Sequence, residues 1–268
     1  MPESFYAKPS LHVEIYDIMT STDWAEAGTD VCFLRERFGN IKGPILELGC
    51  GTGRTAIPLA EAGFEVHGLD ASSAMLSVAR AKRQHLPTSV AKHLFLTEGN
   101  MREFEFAIQF DGVYSTFRSF QNLLSPEDQE SCLRCIHRHM RTDGILVLNL
   151  FDPRYDLLLP GEHTGLISSR VVTHPISGNT VRIEVLGRVN DYLSQCFTET
   201  WQFTELGPDS GTAVRREKET LRMRWTFRYE MRHLLRLCGF RVLEEYSDFD
   251  KSPPSYGKEQ VWVAVKSG

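Results

Sequence analysis

Three glycines at alternate positions, Gly49, Gly51 and Gly53, follow an apolar run from Pro44 to Leu48 and precede a helical pattern from Thr55 to Glu61. Glycine is needed where a strand turns sharply into a helix and a ligand presses on the backbone. The helix start then offers free N–H groups to a carboxylate or phosphate. Asp70 closes a second apolar run seventeen residues beyond Gly53, and an acid so placed accepts hydrogen bonds from ribose hydroxyls. Together these residues have the chemistry of a site for a nucleotide-type ligand.

Two ligands compete for that reading. A dinucleotide site has the spacing G-x-G-x-x-G, with its third glycine inside the helix. Here the spacing is G-x-G-x-G, and Arg54 follows. Glu47, two residues before the first glycine, repels a pyrophosphate and suits a cationic amino-acid group. The string Glu47-Leu48-Gly49-Cys50-Gly51-Thr52-Gly53 closely resembles the first motif of class I S-adenosylmethionine-dependent methyltransferases.

The pattern that must position these residues alternates. Strand 44–49 leads to helix 54–62, strand 64–69 to helix 72–84, and short strands follow at 93–97 and 110–115. Ser125-Pro126-Glu127-Asp128 is a helix start by its own chemistry: a serine cap, proline in the first turn and two acids at the positive dipole end. That helix runs to about Arg141, and 145–150 is the strongest strand. Such alternation predicts a parallel, doubly wound α/β sheet. From 165 to 226 the pattern becomes four antiparallel strands separated by Ser177-Gly178-Asn179 and Gly207 to Gly211. A helix at 229–238 and a hairpin of 240–246 with 260–265 close the chain. Ahead of all this, 11–38 reads as helix broken near Thr20 to Thr22, with Trp24, Ala27, Val31 and Leu34 continuing at helical spacing.

This order resembles the class I methyltransferase fold, a seven-stranded, mostly parallel, Rossmann-like sheet with an antiparallel insertion before the last helix. The expected organisation is a helical cap (1–40), a cofactor-binding domain (41–152 and 227–268) and a β-rich insertion (153–226) covering the acceptor. Three further strings resemble the small-molecule N-methyltransferase branch, which includes amino-sugar and glycine N-methyltransferases: Gly99 to Arg102, Arg118 to Leu124, and Glu219 to Arg224.

The resemblance implies S-adenosyl-L-methionine as cofactor and a role for each matched residue. Gly49, Cys50, Gly51, Gly53 and Arg54 form the turn around the methionine moiety, and Glu47 faces its amino group directly or through water. Asp70 binds the ribose, while Ala71 and Met75 pack near the adenine, although Met75 reads equally as helix core. Asn100 accepts from the adenine amino group where many relatives have Asp, with Met101 and Arg102 completing that string. Thr116 and Phe117 lie where cofactor and acceptor meet. Tyr16 matches a tyrosine placed over the active site.

Arg118, Gln121 and Asn122 are the candidate groups that orient the acceptor. Related sequences often carry Asn where Arg118 stands, and His where Asn122 stands. No imidazole base is therefore offered at Asn122, and Arg118 either holds a carboxylate or phosphate of the substrate or pairs with a structural acid. An amine acceptor needs only to arrive neutral, whereas an alcohol or phenol usually needs a base or a metal. This favours nitrogen, with Tyr16, His137, His139 or His233 as groups that could approach from elsewhere. Aromatic residues of the insertion (Tyr192, Phe197, Trp201, Phe203 and Trp225) either bury a sheet face or wall a pocket, and Arg222 and Arg224 could face it.

At 268 residues with 41% hydrophobic and 24% charged content, the chain has an ordinary globular composition. A formal net charge of −5 argues against a nucleic-acid partner, as does the absence of an Asn-Pro-Pro-aromatic string after the fourth strand. Cys132-x-x-Cys135 lies in a helical pattern without a second close pair, so no metal is expected. The residues Met1 to Lys8 lack an apolar signal core, and no run reaches membrane-spanning length. The expectation is a cytoplasmic enzyme with a small-molecule acceptor, no membrane partner, and a dimer surface available on the insertion.

Overall fold

The computed structural model describes residues 5–23, 28–158, 163–208 and 211–267. Trp24, Ala27, Asp209 and Ser210 lie outside the described residues.

Seven strands form the main sheet: β1 (Ile45–Leu48), β2 (Val66–Asp70), β3 (Leu94–Glu98), β4 (Phe110–Ser115), β5 (Met140–Phe151), β10 (Phe240–Tyr246) and β11 (Glu259–Lys266). Their order is β10-β11-β5-β4-β1-β2-β3. β1 pairs in parallel with both β2 and β4, while β11 runs antiparallel to β5 and β10. The expected seven-stranded, mostly parallel sheet is therefore present. The chain reverses its winding direction between β1 and β4, which opens a crevice at the carboxyl ends of the strands.

One face of the sheet is covered by α6 (Pro126–His139) and α7 (Arg228–Leu237), whose Leu133, Ile136, Met231 and Leu235 pack on Leu46, Leu148 and Trp262. The other face is covered by α2 (Thr29–Phe38) and α3 (Ala56–Glu61), with Phe33, Leu34, Phe38 and Leu59 against Ile45, Tyr114 and Val147. Between β2 and β3 stand α4 (Ser73–Gln84) and a short α5 (Thr88–Ala91) that the sequence pattern does not signal. Ser72 caps α4 and Ser125 caps α6, each accepting from the backbone N–H three residues on.

The insertion folds as a separate four-stranded antiparallel sheet in the order β6 (His163–Thr173), β7 (Thr180–Asp191), β8 (Cys196–Leu206) and β9 (Ala213–Arg224). α1 (Leu11–Asp23) continues through the break expected at Thr20 to Thr22. Thr20 and Ser21 turn their hydroxyls back onto the carbonyls of Asp17 and Ile18, which satisfies them within the helix. Leu11, Ile15 and Tyr16 of α1 pack against Val181, Ile183, Phe203 and Trp225 of the insertion. The Leu11 N–H donates to Glu217 of β9 at 2.7 Å, so an acid caps the positive end of α1 from the neighbouring sheet. Helix and insertion together form a roof over the crevice.

Candidate active site

The glycine turn sits at the carboxyl end of β1. Gly49, Gly51 and Gly53 have φ of 76°, 52° and 79°, the left-handed region that side chains avoid. A Cβ at Gly49 would lie 2.6 Å from Cβ of Ser119, so the backbone there can be approached only if the residue is glycine. Asp70, at the end of β2, holds the turn: Oδ2 accepts from Gly51 N at 2.7 Å, and Oδ1 accepts from Ser72 N at 2.7 Å. Burial raises its carboxyl pKa, opposed by these backbone donors.

Above the turn lies a cavity of about 420 Å³. Gly49, Gly51, Asp70, Ala71 and Met75 form its floor, and Asn100 and Met101 one wall. Phe117, Arg118 and Asn122 line the opposite side, and Tyr6, His12, Tyr16 and Trp201 close the roof. The chemistry suits an adenosyl sulfonium. Each oxygen of Asp70 retains a lone pair for a ribose hydroxyl, the glycine turn presents bare backbone, and the aromatic roof favours a cation.

A methyltransferase-domain model matches residues 45–144, from β1 into β5. A Bacillus subtilis protein named as a methyltransferase, YqeM, is 30% identical over 231 residues, covering 84% of each chain. The chain belongs to the S-adenosylmethionine-dependent methyltransferases. It is also 28% identical to the dTDP-3-amino-3,6-dideoxy-alpha-D-glucopyranose N,N-dimethyltransferase of Streptomyces fradiae, over 64% of this chain and 68% of that one. In fold it matches the CcbJ methyltransferase of Streptomyces caelestis with a TM-score of 0.76 at 20% identity, covering 99% of both chains.

In this methyltransferase the matched residues divide by what they touch. Tyr16, Gly49, Gly51, Asp70, Ala71, Met75, Asn100, Met101, Phe117, Arg118 and Asn122 all line the one cavity. The Asn100 side-chain oxygen already accepts from Arg102 N at 2.9 Å, which fixes the amide before any ligand arrives.

The remaining matched residues do not line this cavity. Glu47 lies behind the turn rather than in the cavity: it is buried, and its carboxyl accepts from the hydroxyls of Thr55 and Tyr114. Burial pushes its pKa up to about 8, so it is largely neutral near pH 7 instead of presenting an anion. Arg54 turns away to pair with Asp30 and lies over the Phe117 ring, its guanidinium carbon 5.0 Å from the centroid. It lines a separate cavity of about 200 Å³. The Cys50 thiol packs toward β2, where a Cβ on Gly68 would lie 2.8 Å from it, and a Cβ on Gly53 would lie 3.1 Å from Ile57 of the following helix α3. Thr116 is buried, and Arg102 reaches Asp128 at 3.1 Å. Gln121 is fully buried with its amide consumed by backbone, accepting from Phe151 N at 2.9 Å and donating to the Arg224 carbonyl at 3.3 Å. It braces β5 against β9.

Arg118 pairs with an acid. Its Nη2 lies 2.5 Å from Glu259, which also accepts from Asn149, and its guanidinium carbon lies 5.6 Å from the Phe151 ring centroid. Arg222 is exposed, and Arg224 is buried in bonds to Gln129, Thr226 and Glu230. Trp201 does wall the cavity, whereas Phe203 is buried in the roof. His139 is buried beside Phe104 and accepts from Phe106 N, on the far side of α6, and His233 is exposed on α7.

The histidine that reaches the cavity is His12, which lies in none of the matched strings. Its signal was the i, i+4 spacing to Tyr16, which puts both rings on one face of α1. Both ring nitrogens are buried and, among the described residues, without a hydrogen-bond partner. Leaving such a group unsatisfied costs about 1–3 kcal/mol. Burial lowers the His12 pKa to about 3, with the Arg170 charge adding to the effect and the Phe5 carbonyl opposing it. Burial likewise raises the Tyr16 phenol well above its ordinary value.

Proposed function

We propose that this methyltransferase transfers the methyl group of S-adenosylmethionine to the amine of a small molecule, of the amino-sugar class, by direct in-line displacement. One observation carries the choice of nitrogen: the roof groups nearest the cavity are hydrogen-bonding groups held neutral. Burial keeps His12 uncharged and weakly basic and keeps the phenols of Tyr6 and Tyr16 protonated. A neutral amine brings its own lone pair and needs no proton removed before attack. An alcohol would ask these groups for a base that they do not supply near neutral pH. The similarity to an amino-sugar N,N-dimethyltransferase supports the same reading.

A second cavity of about 530 Å³ adjoins the first and shares Arg118, Trp201, Leu221 and Met223 with it. A cavity of roughly 300–1,000 Å³ suits one drug-sized ligand, so the two accommodate donor and acceptor side by side. In this reading Asp70 holds the ribose, Asn100 and Met101 the adenine, and the glycine turn the methionyl end. Tyr16, Asn122 and the Arg118–Glu259 pair orient the acceptor. When bound, the donor supplies an electrophilic methyl; the protein aligns the nucleophile and excludes water.

The six cysteines are all free thiols, which supports work in a reducing cytoplasm. No helix among the described residues is long and apolar enough to cross a membrane. Exposed Leu166, Ile167 and Val189 support a homodimer through the insertion, to be checked by light scattering.

The test is transfer of labelled methyl from S-adenosylmethionine to dTDP-3-amino-3,6-dideoxyglucose, to glycine and to the 3-hydroxy counterpart of the sugar. Label on an amine and none on the hydroxyl sugar is expected. Label on the hydroxyl sugar alone would overturn the choice of nitrogen.

A further inference from the structure

His12 forms part of the cavity wall, and neither ring nitrogen has a well-formed hydrogen bond among the described residues, although the Phe5 carbonyl lies close to the ring. The ring is fully buried. It stacks on Phe203 with 5.1 Å between centroids and 27° between planes. Phe5 lies 4.2 Å away and Tyr16 meets it edge-on at 5.7 Å. These rings clamp the imidazole, so it cannot swing to find a partner. Nδ1 lies 3.8 Å from Oε2 of Glu219 on β9, just beyond hydrogen-bond reach, and the other oxygen of Glu219 is also unpartnered among the described residues.

We propose that His12 is a catalytic residue that accepts the N–H of the reacting amine, and that Glu219 is a positioning residue that sets its tautomer. This rests on the amine reading above. A neutral imidazole offers one donor and one acceptor. In the tautomer with Nδ1–H turned to Glu219, Nε2 carries the lone pair offered to the amine.

The groups facing the ring are the Phe5 carbonyl and Tyr6 from the segment before α1, Glu219 from β9, Arg170 from β6, and Tyr16 from its own helix. Burial and Arg170 keep it neutral, so it does not compete for a proton. Holding one N–H of the amine at Nε2 aims the nitrogen lone pair. The new N–C bond forms as the C–S bond breaks, and sulfur keeps that electron pair. The product nitrogen keeps its proton and gains the positive charge. Its N–H then donates a charge-assisted bond to Nε2, stronger than the one made by the neutral amine. An interaction that strengthens along the reaction lowers the barrier rather than only binding the substrate.

The experiment uses His12→Phe, which keeps the stacked ring and removes both nitrogens, and His12→Gln, which keeps an acceptor. His12→Phe is expected to bind S-adenosylhomocysteine within twofold of wild type, because the ring contacts persist. On the amine acceptor its kcat should fall roughly 10- to 100-fold, the range for a hydrogen bond to a charged group, with a smaller change in KM. His12→Gln should recover part of that loss. Independently of turnover, a ¹⁵N-histidine spectrum of the wild-type complex with S-adenosylhomocysteine should show the His12 acceptor nitrogen shift when dTDP-3-amino-3,6-dideoxyglucose is added, but not its 3-hydroxy counterpart.

Amine turnover by His12→Phe within twofold of wild type, or a His12 resonance unmoved by an amine that is methylated, overturns the role of His12 and leaves the amine reading standing. Methylation of no amine, with transfer to the hydroxyl sugar, overturns both. If His12→Phe does not fold, the spectrum and His12→Gln decide the matter.

Discussion

Asp17 of α1 accepts a 2.6 Å hydrogen bond from the Thr52 hydroxyl in the middle of the glycine turn. Lys82 of α4 completes the knot, 2.5 Å from Asp17 and 3.0 Å from the Thr52 carbonyl. The helix that carries His12 and Tyr16 is thereby tied to the glycine turn after β1. Asp17→Ala should lower stability by about 1 kcal/mol and weaken S-adenosylmethionine binding several-fold, because the roof loses its tether. Calorimetric titration of the variant checks this; affinity equal to wild type would show that the roof is held by its aromatic packing alone.

Asp70 has two duties, holding the Gly51 N–H and facing the cavity. Asp70→Ala removes both. Loss of charge-assisted bonds worth roughly 1.5–3 kcal/mol corresponds to about 10- to 100-fold weaker cofactor binding. The same titration reads it, and an unchanged dissociation constant would remove Asp70 from the ribose site.

Glu47 predicts a pH dependence of stability. Burial raises its folded pKa from the ordinary 4.5 to about 8. The folded chain therefore keeps a proton that the unfolded chain releases above pH 4.5. The stabilisation is complete below that value, declines as pH rises by up to ~1.4 kcal/mol per unit, and is lost beyond about pH 8. Glu47→Gln stays neutral throughout and should flatten the fall in thermal midpoint between pH 5 and pH 8.5. A variant whose midpoint falls as steeply as wild type would exclude Glu47 as the source.

Gln121 separates bracing from orienting. Gln121→Ala leaves the Phe151 N–H and the Arg224 carbonyl without their partner, and each buried orphan costs about 1–3 kcal/mol. Urea unfolding should show that loss, while the KM for an amine acceptor measured well below the unfolding temperature stays near wild type. A rise in KM without a loss of stability would return Gln121 to the acceptor site.

The glycine turn of the proposed cofactor half was legible in the sequence because it is built from contiguous backbone. Gly49 to Gly53 must turn at positive φ wherever the chain goes next, and Asp70 follows one strand later in the adjacent register, Leu48 pairing with Leu69. Of the proposed acceptor half, Arg118, Asn122 and Trp201 were candidates in the sequence and His12 was not, because nothing local brings α1, β8 and β9 together over one cavity. A motif fixes residue types and not directions, so the partners taken by Glu47, Arg54 and Gln121 could not be read from it.

By itself, then, the sequence determined the alternation of strands and helices and the glycine turn after β1, which follow from local periodicity and glycine stereochemistry, and, through its first motif, the cofactor class. Only the tertiary structure decided which charges are spent. It gave Glu259 to Arg118, Asp30 to Arg54 and the hydroxyls of Thr55 and Tyr114 to Glu47. It left His12, clamped between Phe5 and Phe203, with two nitrogens and no partner among the described residues. Pairing and burial depend on what folds against a residue, and no local pattern carries that information.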